Sequence, residues 1–443
     1  MNNGTDLLLE YLEEKLTPPL PGEVLRQAKL CLVDYLGAAS AGMSFRADAF
    51  TPWLAGLPEG GVSVIGSGRS ADGFTAALLN GFSAHALELD DGHRHGMIHL
   101  GAPVISAVLA AAQLAGASGT ALLEGIVAGY EAAVRAAVAI QPAHKLRGFH
   151  TAGTCGTLGA ALGATRVLGL DRRQTKSALS AAGSGAAGLL EIQEESSELK
   201  PWNTGHAAMT GLAAALTGRT GLPGPDDILD GPRGLSRALA EGADLEKMTA
   251  PSGFFEIQRI YRKPYAACRH CHSAVEAAIR LREAGIEPEE VAELRVDAYR
   301  LAVKGHDHKE IRGVPSAKLS IPYSVAAAYL TGDCGLEAFT PEMLADERLR
   351  ALTEKVTVAE NGEFTRLADR RVSAVRVTAR DGRQASCRVD YARGDPENPI
   401  PEAELLEKFR GLMAWAGRTD GEAVLEAVRR MEEDAAPLYA LLA

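Results

Sequence analysis

The sequence is short of basic charge and of aromatic residues, and it has no long uninterrupted apolar run. Its 443 residues include 46 Lys or Arg against 57 Asp or Glu, a formal net charge of −11. That balance argues against a nucleic-acid or anionic-membrane partner, since both need a basic face. It leaves room for a local basic pocket that takes a small anion. The most apolar stretches, such as "GAPVISAVLAAAQLAGASG", are Ala-rich, broken by Gly and about helix length. They predict buried helices rather than membrane spans. The first residues, "MNNGTDLLLEYLEEKL", carry acids through their apolar periodicity, with no basic segment leading into an apolar core, so no secretory signal is expected. The six cysteines (Cys31, Cys155, Cys268, Cys271, Cys334 and Cys387) then read as reduced thiols of a cytoplasmic protein.

Cofactor fingerprints are missing too. There is no phosphate loop and no G-x-S-x-G elbow. "GSGAAG" at 183–188 lies in helical sequence and follows no strand, so it fails as a dinucleotide turn. The expectation is chemistry without a cofactor or a metal.

What is present is ordinary globular sequence, 46% hydrophobic and 23% charged, long enough for two domains. Up to about residue 250 the pattern is helical and dense in Ala, Leu and Gly, as in "GTALLEGIVAGYEAAVRAAVAI" and "TCGTLGAALGATRVLGLD". The one plausible strand there is the short "GVSVIGSG". Beyond it the character changes. A helix over 273–284 precedes the alternating "VAELRVDAYRLAV", and "RVSAVRVTARDGRQASCRVDY" reads as two strands joined by Asp381–Gly382. "SIPYSVAAAYLTGD" predicts a helix entered through Pro322 and ended near Gly332. The fold class expected is a large all-α domain plus a smaller α+β domain. The helical domain takes 1–261 with 396–443 returning to it, and the α+β domain takes 262–395.

Polar residues concentrate in five segments. "SAHALELDDGHRHGMIHLGAP" holds His85, Glu88, Asp90, Asp91, His93, His95 and His99, including four of the eleven histidines. Such a cluster suits metal ligation or general acid–base chemistry, although helix capping competes for Asp90 and Asp91. "RGFHTAGTCGTLGAAL" places His150 before a turn that opens a helix, and "ELKPWNTGHAAMTG" offers Lys200. "KPYAACRHCHSAVEA" supplies Lys263, Cys268, Arg269, Cys271 and His272, and "AKLSIPYSVAA" supplies Tyr323. Each has an ordinary structural reading: a histidine before a helix, a solvated lysine, a core tyrosine. Together they supply cations, histidines that titrate near neutrality and a phenol. That set suits proton transfer on a small carboxylic acid, where a base removes the proton and cations hold the enediolate charge. The rival from another class is a metal- or haem-binding redox protein built on the C-x-x-C-H of Cys268, Cys271 and His272.

Taken in order, the segments "ELDDGHRHGMIHLGAP", "GFHTAGTCGTLGAALGATRVLGLD", "HAAMTGLAAALTGRTGLPGPDDILDGPRGL", "KPYAACRHCHSAVEA" and "LSIPYSVAAAYLTGD" resemble the MmgE/PrpD family over essentially the whole chain. That family includes 2-methylcitrate dehydratase, cis-aconitate decarboxylase and iminodisuccinate epimerase. The resemblance implies a homodimer with its active site in the cleft between the two domains. It also implies catalytic or carboxylate-binding roles for His99, His150, Lys200, Lys263, His272 and Tyr323, with Asp90, Asp91, Asn203, Cys268 and Arg269 shaping the substrate pocket. Three positions depart from the family pattern. Leu100 stands where proline often follows the histidine, and Asn203 where some members have histidine. Cys268 stands where decarboxylase-type members carry a catalytic histidine, which argues against decarboxylation by the same route. The function expected is a cofactor-free lyase or isomerase acting on a small di- or tricarboxylate. Dehydration of a 2-methylcitrate-like acid comes first, then epimerisation of an iminodisuccinate-like acid or decarboxylation of a cis-aconitate-type one.

Overall fold

In the computed structural model, residues 3–17, 19–367 and 369–443 are described. The helical domain is built from α1 (Gly4–Lys15), α2 (Gly22–Phe45), a two-stranded hairpin β1 (Val62–Val64) and β2 (Arg69–Ala71), and α3 (Gly73–Ala86). It continues with α4 (Gly101–Ala115), α5 (Gly119–Ile140), α6 (Thr151–Val167), α7 (Arg172–Gly185) and α8 (Trp202–Gly218). Side chains mark many of the starts. Asp72 accepts from the backbone of Phe74 and Thr75, Ser118 accepts from Ala121, and Asp171 with Gln174 forms a capping box.

Small residues set how closely these helices pack. Gly125 and Gly129 of α5 face Gly159 and Gly163 of α6. A Cβ on Gly159 would stand 2.5 Å from the Gly129 carbonyl oxygen, and one on Gly163 2.7 Å from that of Gly125. No larger residue fits this crossing without moving a backbone, and the crossing holds His150 at the start of α6 against the rest of the domain.

The smaller domain follows with α9 (His272–Leu281), β3 (Val291–Ala298), α10 (Ile321–Thr331), β4 (Val356–Glu360), β5 (Ser373–Ala379) and β6 (Gln384–Val389). Its sheet runs in the order β4-β3-β5-β6, with β3 and β4 parallel and the other pairs antiparallel. β5 and β6 turn at Asp381–Gly382, where Gly382 has φ of +90°. α10 starts under the Ser320 side chain and stops at Gly332, which is left-handed. Two strands escape the sequence pattern. β2 pairs with β1 in a hairpin that reads as one strand, and β4 is a short edge strand directly after a helix at Glu347–Glu354.

The helices α11 (Glu402–Trp415) and α12 (Gly421–Arg430) pack back on the first domain. Phe409, Met413, Val424 and Val428 join its core, while Leu412 reaches the core of the α+β domain. Among the described residues no helix is long and apolar enough to cross a membrane.

Candidate active site

The segment between α3 and α4 crosses the junction of the domains. Gly92 and Tyr261 exchange both backbone hydrogen bonds, at 3.1 and 2.8 Å, and tie that segment to the entrance of the α+β domain. Beside this tie lies a cavity of about 560 Å³. His99, Lys145, Phe149, His150 and Lys200 line it from the helical domain, and Cys268, Arg269, His270, His306 and Arg371 line it from the other.

Beneath the helical wall sits a dense charge network. Glu88 is buried with a left-handed φ of +56°. Its two carboxylate oxygens are taken by two lysines, one by Lys200 and the other by Lys263 at 2.7 Å. Lys263 is wholly buried and also lies 3.7 Å from Asp90. Burial works against every charge here, and the partners outweigh it. Lys200 and Lys263 hold Glu88 well below the usual carboxylate range, while Glu88 and Asp90 raise Lys263 above an ordinary lysine. Asp90 is likewise held low against burial by His85, His99 and Lys263.

Asp90 also fixes two imidazoles. Its Oδ2 accepts from His85 Nδ1 at 2.9 Å, and His99 Nδ1 stands 3.1 Å from the same oxygen, less well aligned. With Nδ1–H turned to the carboxylate, His99 keeps a lone pair at Nε2. Burial pushes His99 down to about 4, so that lone pair is free at neutral pH. His150 is arranged the opposite way. Asn203 gives one amide hydrogen to the Leu189 carbonyl at 3.2 Å and the other to His150 Nδ1 at 3.0 Å. Nδ1 is therefore the acceptor, and the ring proton sits on Nε2. Burial, then the charge of Lys200, holds His150 well below the usual imidazole value, so it stays neutral. The two rings lie 6.2 Å apart. One offers a base and the other a hydrogen-bond donor.

Not every residue singled out in the sequence faces this space. His99, His150, Lys200, Cys268 and Arg269 line the cavity. Asp90 and Asn203 stand behind the two imidazoles. Lys263 lies beneath the wall and holds Glu88. Asp91 accepts from the Gly101 backbone at 2.8 Å and from Tyr130 at 2.6 Å, which caps α4. His272 is buried with both nitrogens occupied, Nε2 donating to the Ala267 carbonyl at 3.0 Å and Nδ1 accepting from Arg269 at 2.9 Å. Tyr323 donates to the Ala338 carbonyl at 2.7 Å inside the α+β core. His272 and Tyr323 are therefore corrected from pocket residues to buried structural ones. The C-x-x-C-H set does not converge either. Cys268 faces the cavity, while Cys271 is wholly buried and both His272 nitrogens are spent.

Nitrogen and oxygen atoms close enough to share an ion do occur at His85, His99 and His150, and at His85, Glu88 and Asp90, each set within 4.8 Å. Protein cations already supply the positive charge there, through Lys200 and Lys263.

Other residues of the site carried no local signal. Lys145 donates to His270 Nε2 at 3.2 Å, and burial brings it down to about 8. Cys268 Sγ lies 3.4 Å from His306 Nε2. Arg371 is 9% exposed, and its Nη1 meets no acceptor. His306 lies in "KGHDHKEIRG", a polar run that could have been singled out. Lys145 and Arg371 could not.

The Glu88 network carries a stability prediction. Glu88→Gln keeps the shape but leaves two lysines without their shared carboxylate, and Lys263 has no route to water. Breaking a buried pair from one side costs about 3–5 kcal/mol. Chemical denaturation of Glu88→Gln is expected to show a loss of that order. The double variant Glu88→Gln/Lys263→Met should recover part of it, because the stranded charge is gone.

A model of the MmgE/PrpD N-terminal domain matches residues 7–248, and one of the MmgE/PrpD C-terminal domain matches residues 265–433. The chain is 28% identical to the cis-aconitate decarboxylase-like protein oryM of Aspergillus oryzae, over 93% of this chain and 90% of that one. It is 26% identical to cis-aconitate decarboxylase of Mus musculus, over 83% and 78%. It is 24% identical to the mitochondrial 2-methylcitrate dehydratase of Yarrowia lipolytica, over 87% and 79%. With both domain models matched in order across most of its length, the chain belongs to the MmgE/PrpD family.

Proposed function

We propose that the protein is a cofactor-free lyase that removes a proton next to a carboxylate of a small di- or tricarboxylic acid, dehydrating a hydroxy acid of the 2-methylcitrate class. The observation that carries this is the opposed arrangement of His99 and His150, a lone pair on one Nε2 and a proton on the other, in a cavity lined by cations. Lys200, Lys145 and Arg371 hold the substrate's carboxylates. His99 Nε2 takes the proton from the carbon next to one of them, and the C–H electron pair moves into that carboxylate as an enediolate. The pair then returns to form the C=C bond as the β-hydroxyl leaves. His99 gives its proton to that oxygen, which departs as water, while His150 Nε2–H donates a hydrogen bond to it and stays neutral. Positioned proton transfer of this kind contributes about 10²–10⁴-fold.

The relatives' names support the class, since cis-aconitate and 2-methylcitrate are both small tricarboxylic acids. Cys268, at the position where the resemblance puts a decarboxylase histidine, favours dehydration over decarboxylation. The test is to incubate the protein with citrate, 2-methylcitrate and cis-aconitate and follow products by NMR. Dehydration gives an olefinic product from a hydroxy acid without carbon dioxide. Carbon dioxide from cis-aconitate would replace this reading with decarboxylation.

Asn203 offers a finer check. Asn203→Leu removes the donor that fixes the His150 tautomer. Turnover should fall by about 10²-fold, the lower end of what a positioned group supplies, with KM changed much less. An unchanged turnover would mean that the tautomer is irrelevant.

A further inference from the structure

The segment that carries Glu88 and Asp90 is held by two further lysines that the mechanism above does not use. Leu87 and Leu89 bury their side chains in the α+β core, while Glu88 between them turns to Lys200 and Lys263. Lys318 donates to the Leu87 carbonyl at 2.8 Å, from the short helix Val314–Leu319 of the α+β domain. Lys408, on α11, donates to the Leu89 carbonyl at 2.7 Å and to Asp34 Oδ1 at 2.6 Å. A peptide unit is planar, so fixing its oxygen fixes the plane. The planes Leu87–Glu88 and Leu89–Asp90, which lead into the two carboxylate residues, are therefore each pinned by a cation.

We propose that Lys318 and Lys408 are positioning residues for the proton abstraction: by fixing these two planes they aim Asp90 at His99 and Glu88 at its lysines. This rests on the reading of the site given under Proposed function and adds the groups that hold the base from behind. The chain of contacts is short. The Leu89–Asp90 plane sets where Asp90 leaves the backbone, Asp90 Oδ2 lies 3.1 Å from His99 Nδ1, and His99 lines the cavity. The Leu87–Glu88 plane helps to set the left-handed φ of +56° at Glu88, from which its carboxylate reaches Lys200 in the same wall. A residue with a side chain adopts that φ at a cost, and it persists where the surroundings hold it.

Lys318 is an expensive way to satisfy a carbonyl. It is 4% exposed, and among the described residues no carboxylate pairs with it. Its Nζ lies 5.4 Å from the centre of the Phe339 ring. Burying a cation without a counter-ion in contact costs desolvation that an uncharged donor would largely avoid. Burial accordingly brings Lys318 down to about 7, and Lys263 and Arg46 add to this, while Glu88 and Cys334 pull the other way. What the charge adds is a stronger bond to the carbonyl than a neutral donor makes.

Kinetics and ring spectra of the full-length protein test the proposal. With an acid that the wild type turns over, Lys318→Met and Lys408→Met should each lower kcat by about 10²-fold, the cost of a small misplacement, and leave KM near its wild-type value. Added to His99→Asn, neither should lower kcat further, because the group they position is gone. If Lys318→Met does not melt cooperatively, Lys318→Gln takes its place, since its amide nitrogen falls one bond short of Nζ. The second readout needs no substrate. In protein labelled with ¹⁵N at histidine, the ring signal that His99→Asn removes should show a proton on Nδ1 alone in the wild type and a mixture of tautomers in the lysine variants. An unchanged kcat, losses that multiply with that of His99→Asn, or a single unaltered tautomer in both variants would overturn the positioning role and leave the lyase reading standing. No turnover of any acid by the wild type would overturn the lyase reading, and the ring spectra would still decide whether the two lysines hold His99.

Discussion

Lowering the pH from 6.5 towards 4 is expected to unfold the protein well before the carboxylates of Glu88 and Asp90, which their cationic partners hold low, are protonated. Five histidines drive this. Burial pushes His99 and His144 down to about 4, and burial holds His150, His270 and His272 well below the usual imidazole value. The unfolded chain binds these protons near pH 6.5 and the folded chain does not. The stability they contribute is therefore complete above pH 6.5 and is lost progressively as the pH falls through the window down to about 4. Each group gives up about 1.4 kcal/mol per pH unit. Asp91, which burial raises to about 6, opposes them by one group. Several groups acting together exhaust the ~5–15 kcal/mol by which an ordinary protein is stable. Thermal melts should shift steeply downward between pH 6.5 and 5, with proton uptake on unfolding. A melting temperature that stays flat to pH 4.5 would mean that these imidazoles are solvated or already charged.

His99→Asn should lower turnover by about 10²–10⁴-fold, the range a positioned base contributes, while the fold persists. Asparagine can still approach Asp90, but it brings no lone pair able to take a proton from carbon. The wild-type pH profile should carry the same signature. Because burial brings His99 down to about 4, kcat/KM should show no limb near 6.5 and should stay level with falling pH for as long as the protein remains folded. Rate loss confined to KM, with kcat intact, would assign His99 to binding instead.

Much of the architecture is legible in the sequence because it follows from local rules. The Gly-rich periodicity of α5 and α6 announces close-packed helices, and Asp381–Gly382 announces the β5–β6 turn. β4 is missed because five residues at a sheet edge, straight after a helix, form a strand only through their parallel partner β3. The site divides on the same principle. His99, His150 and Lys200 stand out among apolar neighbours, and they do reach the cavity. Lys263, His272 and Tyr323 stand out equally, yet their side chains turn inward, to Glu88, to a backbone carbonyl and to the α+β core. Direction is a tertiary property that spacing does not carry. The Cys268–His306 pair spans 38 residues, and Arg371 joins the cavity from the segment just before β5. No single segment could have revealed either.

The central claim is that this cavity takes a proton from carbon next to a carboxylate, without help from a cofactor. The most direct measurement is NMR of the purified wild-type protein with citrate, 2-methylcitrate, cis-aconitate and iminodisuccinate in D₂O. At least one of these acids is expected to gain solvent deuterium at a carbon α or β to a carboxylate, at a rate proportional to enzyme and in the presence of a chelator. Unchanged spectra for all four acids, from protein that melts cooperatively, would contradict the account.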